Sequence, residues 1–218
     1  MTIGEPTTPD TIVLIHGFWA TPRSWEHWIT RYERRGYRVL APAYPGLEVE
    51  VEALNQDPSP IEALTVPAII EHLELVIREL ESPPILMGHS AGGVFTQILL
   101  DHGFGAVGVA INSAPTEGVP VVPLSQIKST FPVLKNPANR HKAVGFTHEQ
   151  WHYAFTNTFT EEKSRALYER YAIPVHYEGW THFRQGRAAI EGEFAAAPAD
   201  IGRRVRWLPI GVGVEVAG

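Results

Sequence analysis

The chain has 218 residues, a formal charge of −6 and no cysteine. That length suits one domain with a sizeable core. The acidic balance argues against nucleic acid as a partner, and no polybasic stretch marks a membrane anchor. Without cysteine there are no disulfides and no thiolate metal sites, which fits a reducing compartment. Residues 1–10 are polar, contain Pro6 and Pro9, and lack the build of a signal peptide. No apolar run approaches the length of a membrane span. The expectation is a cytoplasmic protein.

Thr11-Ile12-Val13-Leu14-Ile15 is a continuous apolar run, as in a strand buried on both faces of a parallel sheet. His16-Gly17-Phe18-Trp19 follows it directly. Ser24 is the expected N-cap of a helix reaching Arg35, with Trp25, Trp28, Ile29 and Tyr32 on one face. His27 reads as surface or packing. Gly36 ends the helix, and Tyr37 to Pro42 reads as the next strand, closed by the Pro45-Gly46 turn. Strand, helix, strand implies right-handed crossovers and a parallel sheet. Residues 47–64 are acidic and read as irregular. A helix is expected from a Thr65 cap, with Pro67 in its first turn and an apolar face from Ile69 to Leu80.

The most specific stretch is Pro84-Ile85-Leu86-Met87-Gly88-His89-Ser90-Ala91-Gly92-Gly93. An apolar strand runs into a tight turn with a serine at its apex, and an apolar helical pattern follows with Val94, Phe95, Ile98 and Leu99. A serine on a strained turn needs small neighbours, because side chains at Gly88 and Gly92 would meet the adjoining strand and helix. The turn lifts the hydroxyl out of the sheet and brings the Ala91 N–H to the helix N-terminus, where it can donate to an oxyanion. A bare G-x-S-x-G is expected by chance in about one chain in fifteen of this length. The strand before it and the helix after it supply the specificity. The stretch resembles the nucleophile elbow of the α/β-hydrolase superfamily.

Beyond the elbow helix, Asp101 to Gly105 reads as a stop and Ala106 to Ile111 as another buried strand. Asn112 to Pro115 leaves that strand on the side where ligands gather in parallel sheets. Residues 116–172 are rich in Pro, Thr and aromatics. Thr147-His148-Glu149-Gln150 is a capping box, and Thr160 caps a second helix carrying Leu167, Tyr168 and Tyr171. His148 and His152 share a helical face and His141 lies nearby, but no further ligand is evident, so no metal is expected.

The resemblance implies an α/β fold: a parallel sheet with flanking helices (1–115), a helical cap (116–172), and an atypical C-terminal segment (173–218) that adds at most one strand. It implies a hydrolase acting on an ester or similar acyl substrate. Ser90 would be the nucleophile, the N–H groups of Phe18 and Ala91 the oxyanion hole, and His16 and Gly17 would shape the loop carrying Phe18. No cofactor is implied. A serine at the elbow argues against dehalogenases, which need a carboxylate there. Trp19, Trp151 and Phe155 suggest a small apolar substrate. Oligomeric state is not legible.

The family order is serine, acid, histidine. The stretch after Ala172 is short for two more strand–helix units, and no histidine follows Glu215. Three readings compete. The chain is shortened or frame-shifted after about Pro174, losing acid and base and with them much of the activity. Alternatively His182, between Thr181 and Phe183, is the base and Glu117 the acid. Or the fold is a non-catalytic small-ligand-binding protein. The first is favoured.

Overall fold

The computed structural model describes residues 8–114, 128–131, 133 and 142–175. His141, Glu117, His182, Glu215 and the expected last strand lie outside them.

The described sheet has four parallel strands in the order β2-β1-β3-β4. They are β1 (Thr11–Ile15), β2 (Arg38–Leu40), β3 (Ile85–His89) and β4 (Val107–Ile111). Strand β3 lies between β1 and β4, with Met87 opposite Leu14 on one side and Val109 on the other. The helices are α1 (Glu26–Glu33), α2 (Val51–Gln56), α3 (Val66–Arg78), α4 (Ala91–Asp101), α5 (His148–Phe155) and α6 (Glu161–Tyr171).

Alternation along β1 divides the core. Val13 and Ile15 face a layer built from α2, α3 and α4, with Leu54, Ile69, Leu73, Phe95 and Leu99 all buried. Ile12 and Leu14 face the other layer, where Trp25 and the partly buried Ile29 and Tyr32 precede or belong to α1. Thr65 caps α3 by accepting from the Ala68 N–H, as its sequence indicates. Thr147 and Gln150 form a reciprocal capping box at α5, and Thr160 accepts from Lys163 N–H at α6.

Four expectations need correction. Ser24 does not cap α1: it sits in a 3-10 turn over Pro22–Trp25 capped by Thr21, and its hydroxyl donates back to the Thr21 carbonyl. Helix α1 ends at Glu33, short of Arg35, because Arg35 and Gly36 already make turn bonds to Tyr32 and Glu33. Residues 47–64 are not wholly irregular: α2 and a 3-10 turn at Ser59–Ile61 bury Val51, Leu54 and Ile61. The strand over Val107–Ile111, read as buried, is partly exposed along its length, and in the apolar strand before Ser90 only Leu86 and Gly88 are buried, with Ile85 and Met87 half-buried. Among the described residues β4 has a strand on one side only, so its apolar composition does not enforce burial.

Helices α5 and α6 pack on each other and form a second small core with Trp19, Val133, Phe146, Trp151, Ala172 and Val175. Among the described residues no helix is long and apolar enough to cross a membrane.

Candidate active site

Ser90 stands between the last residue of β3 and the first of α4, at φ 56° and ψ −118°. Non-glycine residues avoid this region, so the surrounding structure must hold the backbone there. It does so with three bonds. The Ser90 N–H donates to the Ile111 carbonyl at 3.0 Å, and the Ser90 carbonyl accepts from Gly93 and Ala114, each at 3.0 Å. The glycines on either side are sterically required. A Cβ on Gly88 would lie 1.9 Å from the Gly92 carbonyl oxygen, and one on Gly92 would lie 2.1 Å from that of Ile15. Helix α4 therefore starts hard against both β1 and β3. Among the described residues the Ser90 hydroxyl has no hydrogen-bond partner, and Ser90 itself is half-buried.

The segment leaving β1 passes directly beside this serine. A Cβ on Gly17 would meet the Ser90 Cβ at 3.1 Å and the His89 carbonyl at 3.2 Å. Phe18, next along, sets its ring edge-on to Phe95 of α4 at 5.8 Å. Here the structure brings together His16, Gly17, Phe18, Ser90 and Ala91, which the sequence singled out at two places far apart in the chain.

His16 is 1% exposed. Its Nδ1–H donates to the Gly17 carbonyl at 2.8 Å, and its ring stacks on Tyr44 at 3.8 Å. Burial pushes its pKa down to about 4, against which the Gly17 carbonyl works weakly. The imidazole is therefore neutral at ordinary pH, sealed from solvent, and shaped to hold a loop rather than to carry protons. Tyr44 closes the arrangement: its hydroxyl donates to the His16 carbonyl, and burial raises its own pKa. Tyr44 was not legible as a loop support, because nothing local ties it to a residue 28 positions earlier. His89 has its pKa lowered by burial.

Among the described residues three non-glycine residues have positive φ: Trp19, Ser90 and Asn112. They follow β1, β3 and β4, so the strain gathers at the carboxyl edge of three adjacent strands. Parallel sheets bind ligands at that edge. A small pocket of about 10 Å3, room for about one water, lies between this edge and Ile173–Val175, walled by His16, Phe18, Trp19, Tyr44 and Ile61 among others.

Residues 142–175 are fastened to this edge. Trp19 Nε1–H donates to the Val144 carbonyl, and Asn55 Nδ2 donates to the Ala172 carbonyl. Arg170 and the Tyr171 hydroxyl both bond Glu26, whose pKa is held near 2, mainly by the Arg170 hydrogen bonds. Both ring nitrogens of His148 have neighbours, Ser164 Oγ at 3.1 Å and a Glu161 carboxylate oxygen at 3.3 Å. Among the described residues no three histidine, aspartate or glutamate side chains converge as a metal site.

A family model described as the alpha/beta hydrolase family matches residues 12–211. No curated protein matches the sequence. An extracellular alpha/beta-hydrolase from a Paenibacillus species aligns with a TM-score of 0.64 at 23% identity, covering 81% of this chain and 72% of its own. A pyrethroid hydrolase from Sphingobium faniae gives 0.57 at 18% identity, covering 84% and 75%. A tomato methylketone synthase I variant gives 0.53 at 16% identity, covering 79% and 70%. The chain spans between 70% and 75% of the lengths of these three structures.

Proposed function

The chain belongs to the alpha/beta hydrolase family, and from that premise we propose that it is a serine hydrolase cleaving an ester or similar acyl bond. One observation carries the reading. Ser90 is held at φ 56° between a strand and a helix, by glycines that no other residue could replace, with the Gly17 segment against its Cβ.

In this reading Ser90 Oγ attacks the substrate carbonyl carbon. The carbonyl π electrons move onto oxygen, and the N–H groups of Phe18 and Ala91 receive the charge. The tetrahedral intermediate collapses, the bond to the leaving alcohol breaks, and an acyl-enzyme remains. Water then attacks the acyl-enzyme and releases the carboxylic acid. The Ser90 proton passes through a base to the leaving oxygen. His182, flanked by Thr181 and Phe183, is our candidate for that base. Residues 116–172 serve as a cap over the carboxyl edge, and its aromatics, with Trp19, favour a small apolar substrate.

The test uses a fluorophosphonate label and p-nitrophenyl butyrate. Wild type takes up one label on Ser90 and hydrolyses the ester. Ser90→Ala takes up none, and its turnover falls by a factor on the order of 10^4 or more. Labelling that survives in Ser90→Ala refutes the nucleophile. Absence of both labelling and turnover in wild type favours the second reading, a small-ligand-binding protein on this fold. The Ser90 hydroxyl, which has no partner among the described residues, is the observation on its side.

A further inference from the structure

Trp19 occupies a position that neither the family match nor the elbow explains. It directly follows Phe18, is 7% exposed, and is held at φ 61°. Bulky residues rarely adopt that conformation, and released from its contacts the backbone would relax to negative φ. The contacts are specific. The indole Nε1–H donates to the Val144 carbonyl at 3.1 Å. The Trp19 carbonyl accepts from the Ile173 N–H at 3.3 Å. The ring lies 4.6 Å from that of Phe146 and 6.4 Å from that of Phe155.

Val144 and Val175 are joined to each other by an antiparallel bridge, with paired bonds of 2.8 and 3.0 Å. Both polar ends of Trp19 are thus attached to one bracket, built from the two chain segments that flank α5 and α6. On the other side of Phe18, Gly17 is wedged against Ser90 and His89. Phe18 is suspended between these two fixed points.

We infer that Trp19 is a positioning residue that sets the Phe18 N–H by bolting its loop to the Val144–Val175 bracket. The inference rests on Phe18 being an oxyanion donor, as proposed above. A donor acts only within about 2.7–3.1 Å of the oxyanion, so a loop that relaxes at Trp19 loses part of its effect on the transition state. The helical pair then does more than cover the site. Its seating on Trp19 completes the oxyanion hole, and the two events are reciprocal.

Fluorophosphonate labelling separates the possibilities, because phosphonylation of Ser90 develops negative charge on the phosphoryl oxygen. Trp19→Phe keeps an aromatic ring but removes the indole N–H. It should lower the maximal labelling rate about tenfold and leave the half-saturating label concentration within twofold. Trp25→Phe is the control. Trp25 is likewise a buried tryptophan, packed against Trp28 on the α1 side of the sheet, and its indole nitrogen has no partner among the described residues. It should label at the wild-type rate. An equal fall in both variants, or none in Trp19→Phe, overturns the inference while leaving the Ser90 reading intact. Labelling that survives in Ser90→Ala refutes that reading instead.

A second measurement needs no variant. Phosphonylation should slow hydrogen exchange of the Trp19 indole N–H at least threefold, with that of Trp25 unchanged. No slowing at Trp19 also overturns the inference.

Discussion

β1 and β4 pair with opposite edges of the same strand, yet they live in different surroundings. Every residue of β1 is buried, with Val13, Leu14 and Ile15 fully so. In β4, Val107 is 40% exposed and no residue is fully buried. Neighbours rather than composition make the difference. β1 has a strand on each side and a helical layer on each face, whereas β4 pairs with β3 alone among the described residues. Its small residues admit α4: a Cβ on Gly108 would meet Leu100 at 2.4 Å and Thr96 at 2.9 Å. Ser90 is therefore braced by a rigid wall on the β1 side, and on the β4 side by two backbone bonds to a more exposed segment.

Adjacent glycines of α4 test that contrast most sharply. Gly92 faces the β1 side, where an added Cβ would strike the Ile15 carbonyl at 2.1 Å and that of His16 at 2.6 Å. Gly93 faces the β4 side, where the contacts are longer: Ser113 Cβ and Oγ at 2.9 Å and Ser113 Cα at 3.1 Å. Carbonyls held in a buried strand cannot give way, whereas the backbone at Ser113, after an outer strand, has only a few tenths of an ångström to shift. Gly92→Ala should cost about 4 kcal/mol or more, comparable with the whole stability of many domains. Gly93→Ala should cost about 1–2 kcal/mol, because alanine's helix propensity offsets only part of the crowding. Urea unfolding midpoints of the two variants measure the difference. Equal losses would mean that both sides are equally rigid.

The strands themselves give the next effect. Leu14→Ala removes a fully buried side chain and should cost about 3 kcal/mol. Val107→Ala, at an exposed site, should cost about 0.5 kcal/mol or less. Denaturant unfolding at constant slope reads both. A large loss at Val107 would show that β4 is covered in solution.

The same contrast explains what the sequence disclosed. The turn at Ser90 was legible because its tight geometry forces local pattern: strand, glycine, serine, glycine, helix. The caps at Thr65, Thr147 and Thr160 were legible because capping bonds span only a few residues. The burial of β4 was misread because an apolar run in an outer strand looks like one in a central strand. The bracing contacts of Tyr44 and Trp19 and the positive φ of Asn112 carried no signal, since they arise from partners distant in the chain or from neighbouring strands. Helix α2 was hidden by its acidic surroundings, although Val51 and Leu54 are spaced to share one helical face. The candidate base, His182, lies outside the described residues, so the sequence alone supports it.

The smallest effect concerns protons, and it too should fall on the β1 side. His16, beyond the end of β1, is buried and neutral, whereas Asn112 and Ser113, beyond β4, do not titrate. The ordinary His16 pKa of 6.5 falls to about 4 in the fold because burial disfavours the charged ring. Between those values the unfolded chain binds a proton that folded His16 does not. Stability from this group is therefore fully present above pH 6.5 and is lost as pH falls toward 4. From pH 7 to pH 5 the loss should be about 2 kcal/mol. His89 is also shifted down by burial and adds a loss of the same sign, so a variant is needed to separate the two. In His16→Asn the side-chain amide can still donate to the Gly17 carbonyl, but it does not titrate. The difference in unfolding free energy between wild type and this variant should shrink by about 2 kcal/mol over that interval. An NMR titration of wild type should place the His16 midpoint near 4. A midpoint at or above 6, or a His16→Asn pH slope identical to wild type, would mean that His16 is hydrated and that the wall on the β1 side is less closed than its packing indicates.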